Sequence, residues 1–157
     1  MANQFQRFEL ERIMSEWEQV VEYNLSESGA HPLQLKELLA YDPSMLDQML
    51  ESELGYGYAE GSPELREAIA QYYPGATADN VLVTVGCIEA NYLVYSTLLR
   101  PGDQVAIQVP NYLQGWGVAN NLNADRRTFS LDPDRDWGLN VDSLNEAVTD
   151  KTKLIAI

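Results

Sequence analysis

The chain has 157 residues, 45% of them hydrophobic, and 24 acidic against 10 basic side chains give a formal charge of -14. That length and apolar content suit a globular domain with a real core rather than a disordered chain. The acidic balance excludes the basic stripe that an extended nucleic-acid or anionic-membrane surface requires. The single cysteine, Cys87, excludes an intrachain disulfide framework and fits a reducing, cytoplasmic compartment.

In chain order, Phe5, Phe8, Ile13, Trp17, Val20 and Val21 recur at spacings near three and four, with Arg7, Glu9, Glu11, Arg12 and Glu16 between them, so the spacing predicts an amphipathic helix. Residues 1–10 lack the apolar core of a signal peptide, and no stretch approaches membrane-spanning length. Asn24 to Pro32 is rich in polar, Gly and Pro residues and is expected to be irregular, before short helices over Leu33 to Leu39 and Pro43 to Glu51. Ser62-Pro63-Glu64 starts a helix: a hydroxyl at the N-cap, a proline whose missing N–H is harmless there, and an acid in the first turn. That helix is expected to run to about Tyr73.

From Val81 onward, short apolar runs alternate with helical stretches, the pattern of a parallel α/β sheet with crossover helices. Strands are expected at Val81–Val85, Val105–Val109, Arg127–Leu131 and Lys153–Ile157. Helices are expected at Ile88–Leu99, at Asn111–Asn121 and from Asp142, as cap, to Val148. The chemistry concentrates where the first strand breaks at Gly86 into a helix. The first amides of such a helix lack intrahelical partners and point along a dipole that favours an anion, and glycine permits close approach. A phosphate suits that place, although an isolated glycine after a strand also serves simply as a tight turn. His31 has no partner at metal spacing. Cys87 has no histidine near it in sequence, Arg66 suits a structural salt bridge at least as well as an anion clamp, and Asp103 reads as turn chemistry.

The motifs Tyr56-x-x-x-x-Gly61-x-x-x-Leu65-Arg66, Val83-Thr84-x-Gly86-x-x-x-Ala90, Pro101-Gly102-Asp103-x-Val105 and Pro110-x-Tyr112 follow one another as in class I/II aminotransferases, the pyridoxal-phosphate enzymes of fold type I, which the chain resembles from about Asn24 onward. Ser26-Glu27-Ser28-Gly29-x-x-Pro32-Leu33 and Gly86-x-Ile88-Glu89-Ala90-Asn91 look most like the branch containing capreomycidine synthase and its aminotransferase relatives. The resemblance implies a three-layer αβα large domain with a mostly parallel, incomplete sheet. On that reading residues 1–52 form a helical arm or small-domain segment, and residues 53–157 the first half of the cofactor domain. It implies pyridoxal 5'-phosphate as cofactor, with Gly86, Cys87 and Ile88 at its phosphate and Tyr112 stacked on its ring. Tyr56, with Tyr58 as the alternate position, reaches a partner's cofactor across a homodimer, and Gly29 lies near the substrate carboxylate.

The implied activity is amino-group transfer between an amino acid and a 2-oxo acid, with elimination or cyclisation of an amino acid as the alternative. A non-catalytic dimerisation module derived from the fold is a third reading. The family also needs a lysine in a Ser-x-x-Lys setting that joins the cofactor. Lys36, Lys151 and Lys153 do not stand in one, so no catalytic residue is assigned, and the chain is expected to be the N-terminal part of such an enzyme, inactive alone. A sheet ending at Leu154–Ile157 is expected to leave an apolar edge that drives association.

Overall fold

The computed structural model describes residues 5–26 and 28–157; Met1 to Gln4 and Glu27, the latter part of the Ser26–Leu33 motif, lie outside the described residues. The chain divides into two compact units, Met1–Val20 with Thr84–Ile157, and Val21–Val83. Helix α1 (Glu9–Trp17) belongs to the first, and α2 (Leu35–Leu39), α3 (Met45–Glu51) and α4 (Pro63–Ala70) to the second. Among the described residues no helix is long and apolar enough to cross a membrane.

In the second unit α4 starts as its sequence dictates. The Ser62 hydroxyl accepts the Leu65 N–H at 3.3 Å and Pro63 fills the first helical position. Arg66 is a structural tie: Nε donates to the carbonyls of Ala78 (3.1 Å) and Val81 (3.0 Å), while Nη1 pairs with Glu60 at 3.0 Å. Gly61, at φ +96°, lies so close to Val83 that an added Cβ would sit 2.4 Å from Cγ2, so the turn before α4 admits only glycine.

The first unit is built on a four-stranded sheet in the order β3-β2-β1-β4, with β1 (Gln104–Val109), β2 (Asp125–Asp132), β3 (Gly138–Leu139) and β4 (Thr152–Ala156). Strand β1 runs parallel to both β2 and β4, and β3 pairs antiparallel to β2. Helices α5 (Gly86–Leu98), α6 (Gln114–Asn121) and α7 (Val141–Ala147) cover it. Alternation along β1 sorts its side chains. Val105 and Ile107 pack with Tyr95 and Leu99 of the α5 region and Ala119 of α6, whereas Ala106 packs on the opposite face with Phe129 of β2 and Ala147 of α7. The result is three layers, α5/α6, sheet and α7. The topology requires it: the β1-α6-β2 and β2-α7-β4 crossovers step across the sheet in opposite directions, so two right-handed connections place their helices on opposite faces.

Three expectations need correction. Val81–Val85 is not a strand: Val81 has extended dihedrals, but Leu82 and Val85 are exposed and no ladder partner exists for the segment among the described residues. The two sheet edges are held instead by β3 and β4. The cap of α7 is Asn140, whose Oδ1 accepts the Ser143 N–H at 3.0 Å, and Asp142 falls in the first turn, where its charge complements the dipole. Helix α6 begins at Gln114 rather than at Asn111, with Leu113 as its N-cap and Asn111 and Tyr112 in the connection from β1. Strand β4 lies at the sheet edge, as expected, with Ile155 and Ile157 exposed.

Candidate functional site

Helix α5 opens at Gly86, whose φ of +77° turns the chain sharply out of the extended segment. The direction a Cβ would take there is open, with nothing within 4 Å. The first three amides of the helix, Gly86, Cys87 and Ile88, have no intrahelical acceptor. The Gly86 N–H turns back to the Thr84 carbonyl at 2.9 Å, and the Thr84 hydroxyl donates to the Gly86 carbonyl at 3.0 Å. The Glu89 carboxylate reaches over to the Val85 N–H at 2.5 Å, so it caps the residue before the helix and not the helix itself. The amides of Cys87 and Ile88 therefore stay open among the described residues. This donor pair at the positive end of a thirteen-residue helix suits an anion.

Gln114, the first residue of α6 and almost fully buried, clamps that corner to the next element. Its Nε2 donates to the Ile88 carbonyl at 2.6 Å, and its Oε1 accepts from Asn91 Nδ2 at 3.1 Å. The same Asn91 amide lies 3.5 Å from Cys87 Sγ. Two residues before Gln114, Tyr112 is thereby fixed in register with the open amides. Its ring is half-exposed, stands edge-on to Phe8 at 5.1 Å and 64°, and its hydroxyl donates to the Glu11 carboxylate. Burial first, then the hydrogen bond that the phenol donates to Glu11 and the charge of that carboxylate, with a smaller contribution from Cys87, push the Tyr112 phenol up to about 12.

Of the residues singled out in the sequence, Gly86, Cys87, Ile88 and Tyr112 meet in the first unit. Tyr56 and Gly29 belong to the second, Tyr56 with its side chain fully exposed. Lys151 and Lys153 flank the first residue of β4, level with Gln104, at the end of the parallel strands opposite to the one from which Tyr112 emerges. Sequence reasoning did not find Glu11, Phe8 or Gln114. Nothing local marks them: Glu11 lies 101 residues from Tyr112, and Gln114 reads as one more polar residue at a helix start.

The family profile described as aminotransferase class I and II matches residues 25–157. Capreomycidine synthase of Streptomyces vinaceus is 32% identical over 85% of this chain and 35% of its own length. A probable aspartate aminotransferase of Methanocaldococcus jannaschii is 32% identical over 67% of the chain and 29% of its own length. The chain thus spans about a third of these curated relatives. Among solved structures, a PLP-dependent aminotransferase from Streptococcus suis superposes with a TM-score of 0.87 at 28% identity over 97% of this chain and 42% of that one. The PLP-dependent cyclase OrfR does so with 0.85 at 25% identity over 100% and 41%. With a profile that covers most of its length and a three-layer fold shared with these enzymes, the chain belongs to the class I and II aminotransferase family.

Proposed function

We propose that this chain supplies the phosphate-binding corner and the ring-covering face of a pyridoxal 5'-phosphate enzyme that transfers an amino group between an amino acid and a 2-oxo acid. The observation that carries this reading is the pair of open amides at Cys87 and Ile88, held in register with Tyr112 by Gln114. The residues fit the cofactor's chemistry: the two N–H groups and the α5 dipole hold an anionic phosphate, Gly86 leaves its approach clear, and Tyr112 offers a flat ring beside it. When bound, this cofactor supplies an electron-withdrawing ring for bond breaking at an amino acid's α-carbon. The chain's own residues bind and orient. Cys87 and Ile88 fix the phosphate end, Tyr112 fixes the plane of the ring, and Gln114 keeps the two at a constant separation. Lys151 and Lys153, the lysines of the first unit, start β4 away from this corner, and no lysine of the chain is assigned as a covalent anchor.

The exposed side chain of Tyr56 supports a homodimer in which it meets the partner's phosphate, and Gly29 is assigned to the substrate carboxylate. The lone free cysteine suits a cytoplasmic enzyme. The likeness to capreomycidine synthase and to OrfR favours a second reading, cyclisation of an amino acid on the same cofactor. Amide NMR of the chain tests the corner. Pyridoxal 5'-phosphate is expected to shift the Cys87 and Ile88 resonances and pyridoxal without the phosphate is not; unmoved amides overturn the reading. In the whole protein, release of a 2-oxo acid from the amino donor marks transfer, and a ring-closed amino acid marks cyclisation.

A further inference from the structure

Helix α1 buries little of itself against its unit. It has no buried residue, and Ile13 and Trp17 of its apolar side are half exposed. Between the segment that leads into it and the α5/α6 pair lies a cavity of about 250 Å³, lined by Phe5, Phe8, Ile88, Leu113 and Val118 among others, so the arm does not pack flush there. Two polar attachments tie the arm to α6 and the turn before it. The Gln6 N–H donates to Asn121 Oδ1 at 2.8 Å, at the far end of α6, and Glu11 accepts the Tyr112 hydroxyl near the start of the same helix. Phe8, between them in sequence, sets its edge against the Tyr112 ring.

Tyr112 itself sits on the short connection between β1 and α6, where the Asn111 side chain accepts its backbone N–H at 2.7 Å and no strand or helix fixes its ring. Two side-chain torsions are free to swing a half-exposed ring unless something holds its far end. Among the described residues, the ring contact and the hydroxyl bond of Tyr112 both come from the arm, Phe8 at the ring edge and Glu11 at the hydroxyl. Building on the cofactor reading above, we propose that Glu11 is a positioning residue for the cofactor-covering face: by holding the Tyr112 hydroxyl, with Phe8 against the ring, it sets the ring's attitude and makes α1 part of the cofactor corner.

The test uses the full chain at neutral pH, with tyrosine labelled at the ring carbon that bears the hydroxyl and the Tyr112 resonance assigned by its loss in Tyr112→Phe. A hydroxyl that donates to a carboxylate is expected to displace this resonance from those of exposed tyrosines such as Tyr56 and Tyr72. In Glu11→Ala it moves to the exposed position. In Glu11→Gln, which keeps an acceptor, most of the displacement returns, and Phe8→Leu, which leaves the carboxylate in place, keeps it. Glu11→Ala is also expected to weaken pyridoxal 5'-phosphate binding about fivefold while leaving inorganic phosphate binding unchanged. A Tyr112 resonance indifferent to Glu11, or a loss of affinity shared equally by cofactor and phosphate, overturns the positioning role. Absence of cofactor binding in the unsubstituted chain overturns the cofactor reading instead, and the tyrosine resonance still decides whether Glu11 holds the ring. Should Glu11→Ala fail to fold, the Glu11→Gln and Phe8→Leu spectra decide it.

Discussion

Strand β1 and the stretch from Val81 to Ile88 are built from similar residues and meet opposite fates. β1 is bonded on both sides, by β2 and β4, and Val105, Ala106 and Ile107 are buried within it. The earlier stretch has Leu82 58% exposed and Val85 89% exposed, and it ends on two amides that bond nothing among the described residues. A β-branched run becomes a strand only where neighbours take up its backbone groups; elsewhere it leaves donors available. The first region is where the unit is stable, and the second is where it has unspent hydrogen-bonding capacity to offer a ligand.

The contrast breaks most visibly in the core. Phe129→Ala empties a site 1% exposed against Ala106 and Ala147, and is expected to cost about 3–5 kcal/mol, a large part of a domain's whole stability. Denaturant unfolding of the chain measures it, and a cost below about 1 kcal/mol would mean the α7 face is not packed as described. Next comes the buried polar side chain that opens β1. Gln104, buried at the start of β1, accepts the hydroxyls of Thr149 and Thr152 at 2.7 Å each and donates to Asp125 at 3.0 Å, so one side chain joins the starts of β1, β2 and β4. Gln104→Leu leaves those partners unmatched and is expected to cost about 1–3 kcal/mol. Hydrogen exchange of Thr152–Ala156 should accelerate in step with that loss, and unchanged protection there would remove Gln104 from the account of the edge strand.

How far the sequence reveals such differences depends on what is local. The burial of Val105 to Ile107 is legible because a short apolar run flanked by crossover helices needs no further information, and the α5 start is legible because glycine after an extended run is a backbone signal. Val81–Val85 carries the same signal as β1 and was expected to be a strand, but whether partners stand beside a run is a property of distant residues. β3 is missed for a related reason: its connection from β2 passes through Asp136 and Trp137 at positive φ, and two such residues in succession, one of them a bulky Trp, are not announced by the sequence. Asn140 and Asp142 are both acceptable caps, and only the observed geometry selects the first. The Tyr112–Glu11 pair joins residues 101 positions apart and leaves no trace in either neighbourhood.

The open stretch is sharpened by smaller changes. Gly86→Ala meets no atom, yet must hold φ +77°, so about 1 kcal/mol is expected from backbone strain alone. A crystal structure that shows the first turn of α5 redirected would explain any accompanying loss of phosphate binding. Glu89 places a carboxylate beside the amides meant for an anion while it binds Val85 N–H. Glu89→Gln keeps an acceptor and removes the charge, and a gain of about two- to fivefold in affinity for pyridoxal 5'-phosphate is expected, as for one nearby surface charge at a helix end. Unchanged or weaker binding, measured by calorimetry, would show that the phosphate does not sit at this N-terminus.

The smallest effect is the most direct test of the contrast. Leu82 and Ile107 have the same volume and sit in runs of nearly the same composition, but Leu82 has already left most of its surface in water and belongs to no ladder. Leu82→Ala is therefore expected to change unfolding by no more than about 0.5 kcal/mol. Ile107→Ala, which removes methyl groups from a site 3% exposed between β1 and the α5/α6 layer, belongs with the core changes at about 2–5 kcal/mol. The ratio matters more than either number, because both variants share the same unfolded chain and the same change in side-chain volume. If the two costs converge, the segment before Gly86 is packed like a strand, its amides are committed, and the reason for placing an anion at Cys87 and Ile88 weakens with it.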